Sequence, residues 1–281
     1  MQNSLSKMKV DMELRGFSPK TVKVYHKNVQ TVSDFFNIIP EDLTHDQIRE
    51  FLHHAIIVRK LSRSYVNSVY SGVMFFFKYT LGLPWDMKEI PRVKQPSKLP
   101  VALSPLQVQA LFDSVSNIKH KTMLITCYSA GLRVGELLNL KVSDIDSASM
   151  KIRVRNGKGN KERYTILSTK NLNALRTYYK LFKPLDYLFA NPHTNKPLST
   201  RTIQKVFSDQ RSILNFPKDA TIHSLRHSFA THLLLSGTSI AAIQKLLGHA
   251  HIGTTSIYLH LTNADLSTIS SPLDTLEVFN G

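Results

Sequence analysis

The run TIHSLRHSFATHLL at residues 221–234 concentrates side chains that could bind either a metal ion or an anion. His223 and His227 are four residues apart, a spacing that would put two imidazoles on one face of a helix, as in many zinc sites. The run lacks the glutamate of the H-E-x-x-H zinc motif, and Arg226 would place a fixed positive charge beside the metal. The missing glutamate and the added arginine therefore favour an anion over a metal ion.

Three further stretches add cations and one tyrosine to this set. AGLRVGELLNL places Arg133 at the start of a predicted helix, NGKGNKE places Lys158 at the tip of a predicted hairpin, and LLGHAHIGTTSIYLH contains His249 and, nine residues later, Tyr258. The planar fork of arginine matches the two nonbridging oxygens of a phosphate, and a tyrosine hydroxyl can act as a nucleophile. Any one of these residues alone would more simply be a satisfied polar side chain. Together they predict a phosphate-binding site with a nucleophile.

The overall charge predicts an anionic partner. The 281 residues include 36 Lys and Arg against 20 Asp and Glu, which gives a formal net charge of +16. Such an excess favours nucleic acid as the partner, with a membrane surface as the weaker option. The sequence shows no secretion signal and no apolar run long enough to span a membrane, so we expect a cytoplasmic protein.

Several reactive residue types close to these motifs are expected to be structural. The single cysteine, Cys127, excludes an internal disulfide and lies in the apolar run TMLITCYSAG, where a buried thiol is expected. Glu136, one helical turn after Arg133, is expected to orient that arginine or to cap its helix. Near these motifs, the histidines other than His223 and His249 are also expected to be structural: His227, His232, His251 and His260.

The elements that must position these residues form two predicted domains and a linker. Residues 1–90 read as four helices, of which the second carries an apolar stripe with three- and four-residue spacing, made of Val22, Tyr25, Val29, Val32 and Phe36. The linker, residues 91–102, contains three prolines with Arg92, Lys94 and Lys98 between them. It is either a solvated connection or a strap that crosses a phosphate backbone.

Residues 103–281 are predicted to form a mixed domain, mostly helical with a small sheet. MKIRVRNGKGNKERYTILS alternates on both sides of NGKGN, which predicts a β-hairpin. Gly237 and Gly248 fall where helices should end. Helical runs are predicted at 169–182, 200–214, 222–236 and 239–247.

In combination, these motifs resemble those of the tyrosine recombinases, the family of phage integrases and Xer-type recombinases. GLRVGEL looks like the first-arginine box, GKGNKER like the hairpin-lysine box, HSLRHSFATHLL like the H-x-x-R box, and LLGHAHIGTTSIYLH like the box that ends in the nucleophile. The resemblance covers nearly the whole chain and implies a SAM-like N-terminal DNA-binding domain followed by a catalytic domain. It implies an active set with no position substituted: Arg133, Lys158, His223, Arg226, His249 and Tyr258.

The resemblance implies site-specific recombination of double-stranded DNA. Tyr258 would attack a phosphodiester to form a 3′-phosphotyrosyl link, and His223 could accept its proton. Arg133 and Arg226 would stabilise the growing charge, to which His249 would donate a further hydrogen bond. The hairpin lysine would protonate the leaving 5′-oxygen, and neither ATP, a metal nor a cofactor would be needed.

Three alternative functions use the same sequence features. A type IB topoisomerase would apply the same chemistry as a monomer without sequence preference. A DNA-binding regulator would carry a vestigial site, although the intact set of six residues weighs against this. A metal-dependent nuclease would lose its activity in chelator.

The resemblance also implies a homo-tetramer on DNA, in which the C-terminal tail couples the subunits. The tail LTNADLSTISSPLDTLEVFNG has one apolar helical face, although Pro272 could interrupt it, and that face consists of Leu266, Ile269, Leu273 and Leu276. It could pack on its own catalytic domain or dock in a neighbouring protomer.

Overall fold

The computed structural model describes residues 4–94, 100–155, 162–249 and 255. The chain divides into two compact units, residues 1–98 and 99–281. The boundaries of the linker at residues 91 and 102 remain predictions. No helix in the described ranges is long and apolar enough to cross a membrane.

The N-terminal unit is helical, as the sequence predicted. Its helices are α1 (Ser4–Leu14), α2 (Pro19–Phe36), α3 (His45–Ile57) and α4 (Arg63–Phe75). The stripe of α2 packs into a core with α3 and α4, built on Val22, Val29, Val32, Ile48, Phe51, Val66, Val69 and Val73.

Local sequence explains where these helices begin. The Ser18 side chain accepts from the Thr21 amide, and Pro19 occupies the first turn of α2. At α3 the Thr44 hydroxyl accepts from the Gln47 amide at 3.3 Å while the Gln47 side chain accepts from the Thr44 amide at 2.9 Å. This reciprocal pair is a capping box, for which Thr44 and Gln47 have the required three-residue spacing.

Helix α4 runs on into a π-helical turn, Phe76–Leu81, which ends at Gly82 with a left-handed φ of 71°. Phe76, Phe77 and Thr80 are buried in this turn. The wider turn therefore continues the apolar face of α4 into the core of the unit.

The first residues of the predicted linker lie along α4. The side-chain amide of Asn67 donates to the Val93 carbonyl at 3.0 Å and accepts from the Val93 amide at 3.1 Å. Arg63 donates to the Lys94 carbonyl at 3.1 Å. The Asn67 side chain thus satisfies both the amide and the carbonyl of Val93. Together, Asn67 and Arg63 hold residues 93 and 94 against the helix.

The second unit is mostly helical with a small sheet. Its helices are α5 (Pro105–Ser114), α6 (Ile118–Ser129), α7 (Val134–Leu138), α8 (Thr169–Phe182), α9 (Thr200–Ile213), α10 (His223–Leu235) and α11 (Ile240–Leu247). The strands are β1 (Ile145–Asp146), β2 (Lys151–Val154) and β3 (Arg163–Ile166), antiparallel in the order β1-β2-β3. The core includes Leu111, Met123, Leu124, Leu137, Ile152, Leu175, Phe189, Ile203 and Leu225.

The hairpin follows from its alternating pattern. Ile152 and Val154 of β2 are buried, and Ile152 lies opposite Thr165 while Val154 lies opposite Arg163. The hairpin and the helical runs were predicted from the sequence, and the structure confirms them to within one residue at each helix end. Helix α6 and the two-residue strand β1 were not predicted.

Candidate active site

The centre of the site is a buried carboxylate, Glu136, at the start of α7. Its side chain is 6% exposed and accepts hydrogen bonds from the Arg133 amide at 2.8 Å and from Arg133 Nη1 at 2.7 Å. Arg163 binds both carboxylate oxygens, at 2.8 and 2.9 Å. The expectation that Glu136 orients Arg133 and caps its helix is thereby confirmed.

Glu136 stays ionised at any physiological pH. Burial raises its pKa, but the hydrogen bonds and charge of Arg163, together with the hydrogen bonds from Arg133, outweigh this and lower the pKa to about 2. The site therefore contains one fixed negative charge among several fixed positive ones.

Arg226 of α10 is held from three directions. It is 4% exposed, and its Nη1 donates to the Gly131 carbonyl at 2.7 Å while its Nη2 donates to the Leu247 carbonyl at 2.6 Å. Nη1 also lies 3.6 Å from Oε2 of Glu136. The guanidinium is therefore oriented by the fold before any ligand arrives.

His249 follows α11 and touches the same arginine. Its Nε2 lies 3.0 Å from Nη2 of Arg226, and its Nδ1 lies 2.9 Å from Oγ1 of Thr255. Because a guanidinium can only donate, Nε2 carries the lone pair and the single proton of the neutral ring is on Nδ1. In this arrangement Nε2 accepts a hydrogen bond, so the donor role that the resemblance implies requires an added proton or the other tautomer.

Burial and the local cations keep the site histidines neutral. Burial and the charges of Arg226, Arg133 and Arg163 lower the pKa of His249 to about 4. The pKa of His223 is also lowered, by partial desolvation and by Arg226 and Arg133, which places His223 within electrostatic reach of both arginines. At pH 7 both rings are unprotonated and able to accept a proton.

His227 and His232, expected to be structural, lie on the same helix as Arg226. Burial, together with His223 and Arg226, lowers the pKa of His227 to about 4. His232 Nδ1 lies 2.8 Å from the Tyr128 hydroxyl. His251 and His260 lie outside the described residues.

Gly131 permits the close approach between the Arg133 loop and α10. Its φ is +59°, and a Cβ at this position would lie 2.6 Å from Cε1 of Phe229. A side chain would therefore be strained by the backbone and would meet an aromatic ring. The carbonyl of the same glycine binds Arg226, so the missing side chain brings the two arginine-bearing segments together.

Arg163 is a site residue that the sequence motifs did not predict. It is the last residue of the motif GKGNKER, in which only the lysine was expected to be functional, and it begins β3. Its side chain is 10% exposed, and its Nε donates to the Leu246 carbonyl at 2.8 Å in addition to the two bonds to Glu136. The signal that could have found it is its position at the start of the second strand of the hairpin, opposite the buried Val154.

Two members of the predicted active set, Lys158 and Tyr258, lie outside the described residues. The structure brings Arg133 and Arg226 to Glu136 and His249 to Arg226, with His223 one turn before Arg226 on α10. It describes the strands that precede and follow Lys158, and the Thr255 contact of His249 three residues before Tyr258.

Of the predicted DNA-binding linker residues, Arg92 and Lys94 are described and exposed, and Lys98 lies outside the described residues. Arg92 Nη2 donates to the Ser71 hydroxyl at 2.6 Å, and its guanidinium lies 5.2 Å from the centre of the Tyr70 ring. It is thus attached to α4 while its charge remains open to solvent.

The thiol of Cys127 is buried, as expected, and burial raises its pKa to about 12, so it is not a nucleophile at neutral pH. Within the described ranges, no group of three His, Cys, Asp or Glu side chains is placed to hold a metal ion.

Comparison with known proteins agrees with this architecture. The phage integrase family matches residues 102–265, and the N-terminal SAM-like domain of phage integrases matches residues 5–87. A putative integrase/recombinase of Sinorhizobium fredii is 36% identical over 271 residues, covering 96% of this chain and 88% of the relative. Tyrosine recombinase XerA of Pyrococcus horikoshii is 34% identical over 260 residues, covering 91% of this chain and 88% of the relative.

Solved structures show the same fold. A crystal structure of XerA recombinase aligns with a TM-score of 0.53 and 31% identity, covering 92% of this chain and 94% of that chain. A lambda integrase fragment, crystallised as a dimer bound to a core site, aligns with a TM-score of 0.76, covering 96% and 99% of the two chains, and at 19% identity it shows the fold alone.

The helical domain, the mixed domain and the arginine-rich site together define an enzyme that acts on DNA. The chain belongs to the phage integrase family of tyrosine recombinases. It is a site-specific tyrosine recombinase, with a SAM-like N-terminal domain and an integrase catalytic domain.

Proposed function

We propose that the chain cleaves and rejoins DNA strands through a 3′-phosphotyrosyl link to Tyr258, with the scissile phosphate bound by Arg133 and Arg226. The observation that carries this is the convergence of both arginines on Glu136, with His249 in contact with Arg226. Arg133, with a side chain 28% exposed, is the more accessible of the two arginines, and the side chain of Arg226 is 5% exposed.

The charge balance of the site suits a phosphodiester. Arg133, Arg163 and Arg226 contribute three positive charges, and Glu136 removes one. The excess of about two charges can compensate a phosphate that carries one charge in the ground state and more in the transition state. Because the guanidinium groups are already oriented, little reorganisation is needed when the charge develops.

The chemical step requires two proton transfers. The oxygen of Tyr258 forms a bond to phosphorus while the bond from phosphorus to the 5′-oxygen breaks. The tyrosine proton, held with a pKa of about 10 in free tyrosine, passes to the neutral ring of His223, and Lys158 gives a proton to the 5′-oxygen. Attack by a 5′-hydroxyl of the partner strand reverses both transfers and releases the enzyme.

Binding of the phosphate changes the protonation of His249. Burial and its positive neighbours lower its pKa in the free protein, and a phosphate placed among those neighbours compensates their charge. The pKa of His249 therefore rises on DNA binding, and the protonated ring can donate from Nε2 to a phosphate oxygen.

The partner is a double-stranded recombination site, bound by a homo-tetramer in the cytoplasm. Relatives of this fold bind DNA recombination sites: XerH is described bound to its difH substrate, and lambda integrase as a tetramer on a Holliday junction. The basic residues Arg92, Lys94 and Lys98 would contact the phosphate backbone in such a complex.

The C-terminal tail is proposed to dock in a neighbouring protomer. A chain truncated after Asn263 is then expected to fold and to bind one half-site, but to lose cooperative binding of the second protomer and recombination. A gel-shift titration on full sites, beside a melting curve, measures this. Loss of half-site binding with early melting would show that the tail belongs to its own core, and unchanged cooperativity would show that it does not couple subunits.

The nucleophile is tested by Tyr258→Phe, with Tyr164→Phe as the matched control. Tyr164 is a solvent-exposed tyrosine of β3, 55% exposed, so its loss should leave cleavage unchanged. A duplex is first selected by the unaltered protein from a pool of random duplexes, and denaturant-stable protein–DNA adducts are then counted. Tyr258→Phe should bind the duplex and form no adduct, with or without EDTA.

Three outcomes would overturn this proposal. An adduct formed by Tyr258→Phe would remove the tyrosine from the mechanism. Loss of cleavage in EDTA, restored by magnesium, would indicate a metal-dependent nuclease. Relaxation of supercoiled plasmids without the selected sequence, by a monomer, would indicate a strand-swivelling topoisomerase.

A further inference from the structure

Arg163 occupies a junction between three parts of the catalytic unit. It begins β3, directly after the hairpin segment, and its guanidinium binds both oxygens of Glu136. Its Nε donates to the carbonyl of Leu246 near the end of α11. One side chain therefore connects the hairpin to the carboxylate that holds Arg133 and to the helix end that precedes His249.

The backbone around Gly248 is built to admit this side chain. Gly248 has a φ of +63°, and a Cβ there would lie 2.7 Å from Cδ of Arg163. The adjacent carbonyl of Leu247 binds Arg226. The turn that ends α11 thus receives two arginines on successive carbonyls, those of residues 246 and 247.

The charge of Arg163 also decides how strongly Glu136 competes for the other arginines. With Arg163 present, the Glu136 carboxylate is satisfied by a bidentate pair and lies 3.6 Å from Arg226. Without it, the buried carboxylate would keep only Arg133 and Arg226 as cationic neighbours among the residues that the structure describes. Both would then be drawn to Glu136 and away from a phosphate.

We propose that Arg163 is a positioning residue for strand cleavage, which neutralises Glu136 so that Arg133 and Arg226 remain available to the scissile phosphate. This inference rests on the proposed role of the two arginines. Arg163 acts through Glu136 and through the end of α11, and it need not touch DNA itself.

The hairpin supplies a matched control on its other strand. Arg153 and Arg155 donate to Asp144, a carboxylate whose side chain is 1% exposed, at 3.2 and 2.6 Å. This cluster also ties the hairpin to the preceding segment but has no described contact with Glu136. Arg153→Met therefore removes an arginine–carboxylate pair from the same hairpin without altering the charge around the phosphate site.

The experiment measures single-turnover cleavage of the selected duplex, nicked beside the cleaved phosphate so that the adduct is trapped, and half-site binding in parallel. Arg163→Met should slow cleavage by about 100-fold, the scale expected when catalytic groups are misplaced by about 1 Å. Half-site binding should change much less. Arg163→Lys keeps the positive charge but loses the planar fork of the guanidinium, so its cleavage rate should lie between those of the unaltered protein and Arg163→Met. Arg153→Met should stay within about three-fold of the unaltered protein.

A double-mutant cycle separates positioning through Glu136 from an independent role. If Arg163 acts by neutralising Glu136, the double variant Arg163→Met/Glu136→Gln should cleave no more slowly than Arg163→Met, because no buried negative charge remains to compete. If the two effects multiply instead, the inference is wrong. The same follows if Arg163→Met cleaves within about three-fold of the unaltered protein while Tyr258→Phe is inactive. An adduct formed by Tyr258→Phe would instead refute the proposed function, so the two failures are distinguishable.

Discussion

The two units of the chain hold their basic side chains in opposite ways. In the N-terminal unit, Arg92 is exposed and attached to α4 by one hydroxyl and one aromatic ring, those of Ser71 and Tyr70. In the catalytic unit, Arg226 is 4% exposed and bound to two main-chain carbonyls. Both are arginines in a protein that acts on DNA, yet one is open to solvent and the other is buried beside a carboxylate.

This difference separates binding from chemistry. An exposed arginine stays hydrated and screened by salt, so it contributes to affinity by releasing counterions from DNA. A buried, pre-oriented guanidinium interacts more strongly with developing charge and needs no reorganisation. We therefore expect the N-terminal cations to control affinity and its salt dependence, and the buried arginines to control the rate and the stability of the fold.

The largest contrast is expected between Arg226→Ala and Arg92→Ala. Arg226→Ala leaves two buried carbonyls and Glu136 without this partner, so it should cost about 3–5 kcal/mol of unfolding free energy and reduce cleavage by about 1000-fold. Arg92→Ala should change unfolding by no more than about 0.5 kcal/mol. Urea unfolding measures the effect on stability, and adduct formation measures the effect on cleavage. If both variants had equal effects, the proposed difference between buried and exposed arginines would be wrong.

A second contrast compares a glycine from each unit. Gly131 and Gly82 both have left-handed φ angles, +59° and +71°, but only Gly131 faces a ring, while nothing lies within 4 Å of a Cβ at Gly82. Gly82→Ala should cost about 1–2 kcal/mol from backbone strain alone. Gly131→Ala should cost about 1–3 kcal/mol more because of overpacking against Phe229. Adding Phe229→Leu to Gly131→Ala should restore part of this extra unfolding free energy. If unfolding measurements show no such recovery, overpacking against the Phe229 ring is not the cause.

A third test uses pH. The pKa values of His227 and His249 are lowered to about 4 by burial and neighbouring charges, whereas unfolded histidine titrates near its usual 6.5. Between those values the unfolded chain binds more protons, so this stability is complete above pH 6.5 and is lost as the pH falls towards 4. Glu136, with a pKa of about 2, lowers the stability of the fold only when the pH falls below about 4.5. The change in melting temperature between pH 7 and pH 5 should therefore reflect protonation of the histidines.

The pH test has an internal reference. Because the pKa values of both histidines are lowered to about 4, His227→Gln should reduce the pH dependence of melting without abolishing it. An unchanged slope in this variant would mean that other groups dominate the titration.

The smallest effect is expected in the salt dependence of binding. If Arg92 and Lys94 each neutralise one phosphate, the variant Arg92→Gln/Lys94→Gln should lower the log–log salt slope by about 0.9 per residue. Melting should hardly change. Gel shifts over a range of salt concentrations measure the slope, and a slope equal to that of the unaltered protein would remove these residues from the DNA contact.

Local patterns explain why much of this architecture was predictable. The stripe of α2, the capping box at Thr44 and the alternation of β2 each depend on neighbours a few residues apart, so they are visible in the sequence. Helix α6 was missed because its sequence, IKHKTMLITCYS, lacks a clear polar face, having Thr122, Met123, Leu124 and Cys127 all buried. Strand β1 is only two residues long, and its pairing with β2 is visible only in the folded structure.

The site was partly predictable for the same reason. Arg133 and Glu136 are one helical turn apart, so their contact could be inferred. The bonds from Arg163 to Glu136 and from Arg226 to Gly131 span 27 and 95 residues, and only the fold reveals them. The tautomer of His249 likewise depends on Arg226, which no local pattern supplies.

The π-helical turn Phe76–Leu81 gives the N-terminal unit a place where chain length can vary. A π turn contains one residue more than an α turn. Removing one residue there would let the segment close as an α turn with nearly the same overall rotation, so the residues after it would keep their alignment. These include Trp85, whose indole N–H donates to the Tyr70 hydroxyl at 3.0 Å. The same deletion inside the α-helical part of α4 would rotate every residue after it by about 100°.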